Sequence, residues 1–162
     1  MKPKILFILH LPPPIHGAAM MGKYIQESEL VNSSFDCFCI NLATAGSLSD
    51  IGHISLKKLL KYFFLLKHIS HVVSEIRPEL VYITPNAGGK AFFKDFIVVQ
   101  MLKSMGCKVI AHYHNKGVSV YQSKWVYNFF YKRFFSNLKV ILLAENLYKD
   151  IAKYVKREDV YI

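Results

Sequence analysis

Two short segments hold four of the seven histidines in the chain, together with two glycines and one lysine. They run from His10 to Gly17 and from His112 to Gly117. An imidazole titrates near neutral pH and can donate a hydrogen bond to a sugar hydroxyl or a phosphate. A glycine at the start of a helix lets such a group approach the free backbone N–H groups. These residue types predict a site for a polar or anionic ligand, provided that the fold brings the two segments together.

The first segment ends where a predicted helix begins, with His16 and Gly17 directly before Ala18. The helix dipole and the free N–H groups favour an anion here, which makes these three residues candidates for ligand binding. A tight turn after three consecutive prolines would account for the glycine equally well. The stretch GAAMMGKY also matches a P-loop except at its last position, where Tyr24 replaces the Ser or Thr that binds magnesium. We therefore disfavour a nucleotide hydrolase.

The second segment carries His112 and His114 two positions apart on a predicted strand, so that both face the same side. We expect a catalytic or acceptor-binding role for His114. We expect His112 to bind the donor phosphate or the acceptor, with a structural hydrogen bond as the plain alternative. Asn115 and Lys116 follow as polar candidates for ligand binding. Two histidines could also hold a metal, but no third ligand lies close in sequence and the cysteines lack a zinc-type spacing. We therefore predict no metal site.

Strands rich in Ile, Val and Leu alternate with amphipathic helices along the whole chain. Predicted strands cover 4–9, 35–42, 80–84, 108–113, 140–144 and 160–162, and predicted helices cover 18–30, 55–77, 90–105, 118–135 and 147–154. This alternation indicates an α/β fold, here a Rossmann-like, doubly wound parallel sheet of about six strands with helices on both faces. We predict that residues 1–162 form a single domain. The chain stops within an apolar run at Ile162, and we expect a second domain to follow.

Ligands of such a sheet bind beyond the carboxyl ends of the strands, at the point where the strand order reverses. The order 3-2-1-4-5-6 would place that point between the first and fourth strands and would unite the two histidine segments. The flavodoxin-like order 2-1-3-4-5 would instead bring in the loop that contains Gly88 and Gly89. The site would then hold fewer titratable groups.

Hydrophobic residues make up 52% of the chain and charged residues 20%, which excludes a disordered protein. The formal net charge of +10 favours anionic partners, namely phosphates, nucleic acid or an anionic membrane. The charge is concentrated in two windows without any Asp or Glu, residues 51–74 and 96–144. Three cysteines cannot form a full set of disulfides and no targeting segment is visible, so we predict a cytoplasmic protein.

Each acid-free window contains a stretch of aromatic residues and cations at helical spacing, residues 57–68 and 124–135. Such stretches are typical of attachment to an anionic membrane, and nucleic-acid binding is an alternative. The plain explanation is that the aromatic residues are core and the cations are its solvated edge. The membrane-facing candidates are Lys124, Trp125, Lys132 and Arg133. The first stretch carries four lysines, which excludes a helix that spans the membrane.

Four segments, taken in their order and spacing, resemble the N-terminal domain of GT-B glycosyltransferases of family 4. They are ILFILHLPPPIHGAA, GGKAFFKD, KVIAHYHNKG and KVILLAENLYKDIAKYVKREDVYI. The resemblance covers the whole chain. In this family the C-terminal domain binds the nucleotide sugar, and the N-terminal domain supplies the acceptor site. The resemblance therefore implies retaining transfer of a sugar to a hydroxyl acceptor in surface-polysaccharide or glycolipid synthesis.

The resemblance also implies roles for individual residues. His114 matches the family's histidine after the fourth strand, close to the transferred sugar. Gly17 matches the glycine-rich loop that approaches the donor phosphates, although His16 replaces the first glycine of that loop. Asp95 matches an acidic residue that we expect to be structural or to support the acceptor. The resemblance implies a nucleotide-sugar co-substrate, bound mainly by the C-terminal domain, and no other cofactor.

Two other function classes stay open. One is a non-catalytic domain that binds an anionic ligand in the same crevice, and the other is a membrane or nucleic-acid adaptor that uses the aromatic basic helices. For a glycosyltransferase, the expected partners are the nucleotide sugar, a glycan or lipid-linked acceptor and an anionic membrane surface, with nucleic acid disfavoured. Such a protein would lie in the cytoplasm, peripheral to the membrane, and its isolated N-terminal domain would be inactive.

Overall fold

The structure, a computed structural model, describes residues 2–13, 15, 17–42 and 56–162. Its strands are β1 (Lys4–Leu9), β2 (Asp36–Asn41), β3 (Leu80–Ile83), β4 (Val109–Tyr113), β5 (Lys139–Leu142) and β6 (Val160–Tyr161). Its helices are α1 (Gly17–Gln26), α2 (Glu29–Ser34), α3 (Leu56–Ile76), α4 (Gly89–Ser104), α5 (Val118–Tyr121), α6 (Trp125–Phe135) and α7 (Tyr148–Ile151). The strands form one parallel sheet flanked by helices, which confirms the predicted Rossmann-like α/β fold.

The strand order is β2-β1-β3-β4-β5-β6. Of the two orders left open by the sequence, 3-2-1-4-5-6 is therefore wrong, and the flavodoxin-like order is correct for the first five strands. The physical reason is that the crossover through α3 can place β3 in either of two positions. These are the far side of β2 or the side of β1 that faces away from β2. Both sides are open to a right-handed crossover, and hydrophobic periodicity does not choose between them. The two histidine segments thus follow β1 and β4, which are not neighbours in the sheet.

The Cα positions group into two compact units, Met1–Tyr82 and Ile83–Ile162. In the first unit β1 pairs with β2 along its whole length, and residues 5–9 of β1 are all buried. α1 lies directly on the chain that follows β1, because a Cβ atom on Gly22 would come within 2.2 Å of the carbonyl oxygen of His10. A glycine is required at this close approach.

The predicted helix over 18–30 is wrong in its second half, because the chain forms two helices there. α1 ends at Gln26, and α2 begins at Glu29. The hydroxyl of Ser28 accepts a hydrogen bond from the Val31 N–H at 3.4 Å and so caps α2. A capping serine satisfies an N–H group that has no partner within the helix, and this favours a new start over continuation.

α3 agrees with the predicted helix over 55–77, whose first residue, Ser55, lies outside the described residues. One side of α3 is buried through Tyr62, Ile69 and Val73. The helix ends before Arg77, which has a positive φ of 48° and precedes Pro78. A residue before proline is disfavoured in the helical conformation, which explains where the helix stops.

In the second unit, α4 ends at Ser104, one residue before its predicted end, with Met105 as its C-cap and Gly106 directly after the cap. Gly106 has a φ of 77°, and its N–H donates to the carbonyl oxygen of Lys103 at 3.0 Å. The N–H of Cys107 donates to the carbonyl oxygen of Leu102 at 3.0 Å. This pair of hydrogen bonds is a Schellman motif, in which glycine adopts the left-handed conformation at little cost.

The core between α4 and α6 is aromatic. The buried ring of Phe92 lies 4.6 Å from the Tyr131 ring and 5.5 Å from the Phe134 ring. Phe93 contacts Tyr127 and Phe130 in the same way. Rings at these separations stabilise the core beyond the burial of their area. For these side chains of the 124–135 stretch, the plain explanation is correct, since they pack against α4.

The predicted helix over 118–135 is interrupted after one turn. α5 spans four residues, and α6 begins at Trp125. Between them the N–H of Lys124 donates to the carbonyl oxygen of Tyr121 at 3.0 Å, which closes a turn. α7 is likewise shorter than the predicted helix over 147–154 and spans four residues. The helical pattern therefore indicates the correct regions but overestimates the lengths of these helices.

Candidate functional site

His112 and His114 lie at the carboxyl end of β4, and their ring centroids are 4.1 Å apart. The structure therefore brings these two predicted residues into contact. Burial lowers the pKa of His112 to about 4, with a smaller contribution from the charge of His114. Burial also lowers the pKa of His114. Both imidazoles are thus neutral at pH 7, because a desolvated cation is disfavoured.

The Nε2 atom of His114 is buried and has no hydrogen-bond partner among the described residues. Nearly all buried polar atoms in proteins are hydrogen-bonded, so an exception calls for an explanation. A neutral imidazole offers one donor and one acceptor, and either suits a hydroxyl group of a ligand. The hydrogen-bonding capacity of this atom of His114 is therefore used by none of the described residues.

Asn115 joins the loop after β4 to the loop after β3. Its side-chain oxygen accepts a hydrogen bond from the N–H of Ala87 at 3.2 Å. The hydroxyl of Tyr131 on α6 donates to the carbonyl oxygen of Ala87. Both backbone polar groups of Ala87 are therefore bonded to side chains. Asn115 positions a neighbouring loop, which is a role beyond the ligand binding predicted for it.

Asp95 on α4 binds the adjacent residue of the loop after β3. The backbone N–H and the side-chain Nδ2 of Asn86 both donate to Oδ2 of Asp95 at 2.8 Å. Asp95 is only 3% exposed, and this burial raises the pKa of its carboxyl group to about 6, against the opposing effect of the two hydrogen bonds. The geometry gives Asp95 a structural task, which is to hold this loop.

A second buried carboxylate, that of Asp150 on α7, lies at the N-terminus of α5. Its Oδ2 atom accepts hydrogen bonds from the N–H groups of Gly117 and Val118 at 2.9 and 3.0 Å. Its Oδ1 atom accepts from the N–H and the hydroxyl of Ser119. Burial opposes the charge, but these four hydrogen bonds outweigh it, so that the pKa of Asp150 is lowered.

Asp150 changes what the loop before α5 can bind. Since its carboxylate already accepts from Gly117, Val118 and Ser119, their N–H groups are not free for a phosphate. Lys116 itself is exposed. It stays a predicted ligand-binding residue through the charge of its side chain, whereas the backbone that follows it serves the fold.

Gly88 ends the loop after β3 and lies against the ring of Tyr121. A Cβ atom at this position would come within 2.2 Å of Cε2 of Tyr121. That ring in turn stacks on Tyr127, with their centroids 4.7 Å apart. The glycine permits close packing, because any larger residue would displace the aromatic ring. The space next to Gly88 is thus filled by the protein itself.

The predicted residues of the first histidine segment belong to the other unit. Gly17 is the first residue of α1, is exposed, and would meet no described atom within 4 Å if it carried a Cβ. Ala18 follows it and is half-buried. His16 lies outside the described residues. Packing among the described residues therefore does not require a glycine at position 17, and ligand contact stays the prediction for it.

The predicted membrane-facing residues Lys124, Trp125, Lys132 and Arg133 are all exposed. Trp125 is 80% exposed, and Phe129, one turn further along α6, is 49% exposed. The guanidinium of Arg133 lies 5.5 Å from the centre of the Phe129 ring. These side chains lie on the surface of the second unit, and their contact with a membrane stays a prediction.

Within the described ranges, no three side chains of His, Cys, Asp or Glu lie close enough together to hold a metal ion. The three cysteines, Cys37, Cys39 and Cys107, are free thiols. None of the described helices is long and apolar enough to cross a membrane.

The sequence contains no local signal for two of the residues that organise this region. Asp150 accepts hydrogen bonds from residues 31 to 33 positions earlier in the chain. Tyr131 donates to a residue 44 positions earlier. No spacing rule covers such separations. Asn86 differs, because it lies in the loop directly after β3, and the rule that sites follow strand ends selects that loop once the strand order is known.

Comparison of the chain with protein-family models, with curated proteins and with solved structures finds no match. The family resemblance therefore rests on the sequence segments alone. The fold does not decide the function either, because Rossmann-like sheets support many unrelated activities. The function has to be argued from the geometry of the site.

Proposed function

We propose that this chain is the N-terminal, acceptor-side domain of a glycosyltransferase of the GT-B type. In this proposal the whole protein moves a sugar from a nucleotide sugar to a hydroxyl acceptor in surface-polysaccharide or glycolipid synthesis, with retention of configuration. A second domain binds most of the donor. The observation that carries the proposal is the buried Nε2 atom of His114, which has no hydrogen-bond partner among the described residues. It lies just beyond the carboxyl end of β4, on the edge where ligands of parallel sheets bind, one strand away from the point between β1 and β3 at which the strand order reverses.

The charge state of His114 supports this role. Burial lowers its pKa, so that the imidazole is neutral at pH 7. A neutral imidazole donates to or accepts from a sugar hydroxyl, and it carries no charge that would need a counterion in a buried site. The ring of His112, 4.1 Å away, limits the orientations that the His114 ring can adopt.

The loops around His114 supply a rigid support for such a site. Asn115 and Tyr131 bind the two backbone groups of Ala87, and Asp95 binds Asn86. Polar groups that are held in place before the reaction stabilise developing charge without the cost of reorganisation. The exposed cation of Lys116, two residues after His114, would favour the leaving diphosphate through its charge.

The test is sugar transfer by the complete protein that contains this chain, assayed with labelled nucleotide sugars and a lipid-extract acceptor. We expect His114→Ala to lower kcat/KM by about 100-fold or more, the usual contribution of a positioned imidazole. The melting temperature should stay within about 4 °C, because the substitution removes no partnered Nε2 hydrogen bond. The matched control is His68→Ala, which removes an exposed histidine of α3 and should keep full activity.

Three outcomes would contradict the proposal. Near-normal turnover by a folded His114→Ala variant would exclude the role of His114. Tight binding of a nucleotide sugar or diphosphate without any transfer would favour the non-catalytic anion-binding domain instead. Salt-sensitive binding to oligonucleotides, again without transfer, would favour the adaptor.

A further inference from the structure

The first three turns of α3 expose five large apolar side chains. Their exposed fractions are 74% for Leu56, 60% for Leu59, 52% for Leu60, 54% for Phe63 and 64% for Phe64. Single exposed apolar residues are normal on a protein surface, but a contiguous group marks an interaction site. We call these five residues the α3 face.

The middle of the α3 face points away from the side that α3 buries. At 3.6 residues per turn, Leu60 and Phe64 point away from the buried Tyr62 and Ile69. The outward side of the same helix is polar after Lys67, where His68, His71, Ser74 and Glu75 are exposed. The apolar outward side is therefore confined to one half of a single continuous helix.

Exposed lysines accompany the α3 face. Lys57 and Lys61 lie one turn apart along one edge of the α3 face, and Lys67 lies on the outward side of the same helix. The Nζ atom of Lys67 is 5.4 Å from the centre of the Phe63 ring. The sequence contains no Asp or Glu from residue 51 to residue 74, so no acidic residue of α3 lies within two turns of these three lysines.

We propose that the α3 face docks on an anionic lipid surface, with the helix axis parallel to the membrane. Helices of this kind bury their apolar side at the boundary between headgroups and acyl chains, while lysines at the edge reach the headgroup phosphates. A lipid surface of this composition matches both halves of the pattern, the apolar side chains and the uncompensated lysines. A second copy of the chain would instead bring the two sets of lysines together, which is unfavourable.

α6 is the weaker candidate for the same role. Most of its aromatic side chains pack against α4, and only Trp125 and Phe129 among its apolar residues are about half exposed or more. If the α3 face alone docks, the membrane contact predicted from the sequence for Trp125 does not form, and α6 serves as an internal comparison for α3. The docking of the α3 face does not depend on the proposed transfer reaction, and it is measured without any substrate.

The test is flotation of the full chain with vesicles at low and high salt. One set of vesicles is neutral phosphatidylcholine, and the other contains roughly one third phosphatidylglycerol. We expect binding to the anionic vesicles only, weakened at about 0.5 M salt because of charge screening. Leu60→Gln with Phe64→Gln should lower the partition coefficient by about 10-fold or more. Lys57→Gln with Lys61→Gln should lower it and also reduce its salt dependence.

Two matched controls separate this surface from general cationic adsorption. Trp125→Gln with Phe129→Gln removes the exposed apolar pair of α6, and Lys149→Gln with Lys153→Gln removes two exposed cations from another part of the chain. The first should bind as the wild type does, and the second should lose less than the α3 lysine variant. All of these positions are exposed, so each variant should fold, which circular dichroism and thermal unfolding would verify.

The depth of insertion gives an independent readout, because the chain has a single tryptophan, Trp125. Its emission should not shift when anionic vesicles are added to the wild type. In the variant Phe64→Trp with Trp125→Phe, the emission should shift to the blue and be quenched by brominated lipid chains. Purely electrostatic adsorption would produce neither change.

Three results would overturn the proposal. The first is no binding of the wild type to anionic vesicles at low salt. The second is unchanged binding after Leu60→Gln with Phe64→Gln. The third is a dimeric wild type that becomes monomeric in that variant while vesicle binding is absent, which would show that a second copy covers the α3 face.

Discussion

Asp95 and Asp150 are both buried in the unit Ile83–Ile162, at 3% and 6% exposure, yet their carboxyl groups behave oppositely. The pKa of Asp95 is raised to about 6, whereas that of Asp150 is lowered. Their charges both raise the pKa of the buried Tyr113 hydroxyl, after burial itself and the effect of Tyr131. The two carboxylates therefore belong to one region, and the difference between them is local.

The difference lies in how many donors each carboxylate receives. Asp95 accepts two hydrogen bonds, both on Oδ2 and both from Asn86. Asp150 accepts four, spread over both oxygens, and three of them come from successive N–H groups at a helix start. Hydrogen bonds to the charged form favour ionisation, and four of them outweigh the desolvation that two cannot offset. Burial alone thus does not decide the charge of a carboxyl group.

Removal of the Asp150 carboxylate should have the largest effect on stability. Asp150→Ala leaves three N–H groups and one hydroxyl without their partner, and we expect the free energy of unfolding to fall by about 3 kcal/mol. Urea unfolding followed by circular dichroism measures it. Glu158→Ala, which removes an exposed acid, is the control and should change the value by about 0.5 kcal/mol or less. If Asp150→Ala also lowered the free energy of unfolding by only about 0.5 kcal/mol, the four hydrogen bonds would not distinguish Asp150 from Asp95.

Asp95 makes the free energy of unfolding depend on pH. Its folded pKa of about 6 lies above the unfolded value near 3.8, so the folded state holds its proton more tightly. The resulting stabilisation is fully present below pH 3.8 and is lost as the pH rises through about 6, by about 3 kcal/mol in total. Asp150 has the opposite sign, since its contribution is present above its unfolded pKa and is lost as the pH falls through its lowered folded pKa.

Asp95→Asn isolates this effect, because the amide oxygen can still accept both Asn86 hydrogen bonds. We expect the variant to be more stable than the wild type at pH 7.5, by about 1 kcal/mol or more, and to lose that advantage at pH 4.5. The measurement is the difference in unfolding midpoint between variant and wild type at the two pH values. The same difference at both pH values would show that Asp95 titrates normally.

Smaller effects than that of Asp150→Ala are expected from a matched pair of donor deletions. Ser119→Ala removes one of four donors to Asp150 and should cost about 1.5 kcal/mol, because the acceptor is charged. Asn86→Ala removes the side-chain donor to Asp95 and should cost about 1 kcal/mol at pH 7.5, and less at pH 4.5, where Asp95 is protonated. Each deletion should raise the pKa of its own carboxyl group, as followed by NMR titration. If the cost of Asn86→Ala were the same at both pH values, the carboxyl group of Asp95 would not be the acceptor of the Asn86 side chain.

Local pattern predicts much of this fold and less of the site. The strands, the long α3 helix and the Gly106 cap of α4 all follow from periodicity and terminal residues, which act over a few positions. The pairing of His112 with His114 follows from alternation along a strand. The strand order and the Asp150 contacts depend on residues far apart in sequence, and no local pattern contains them.

The two helices that combine aromatic residues with cations, α3 and α6, show the same limit of prediction from local pattern. Their sequences look alike, with cations and aromatic residues at helical spacing, and the sequence alone supports core or surface for either. Packing separates them, since α6 turns its rings into α4 while α3 leaves the α3 face in solvent. A helical pattern specifies which residues share a side, and only the neighbouring elements decide whether that side is covered.

By itself the sequence determined the alternation of strands and helices, the α/β class, the concentration of positive charge and the placement of two histidines at one strand end. These properties are set by the chemistry and spacing of neighbouring residues. The tertiary structure alone decided that β3 lies between β1 and β4, that Asp150 occupies the backbone donors before α5, and that Nε2 of His114 is left without a partner among the described residues. Such features arise when distant segments compete for the same buried donors and acceptors, and that competition is resolved only once the chain has packed.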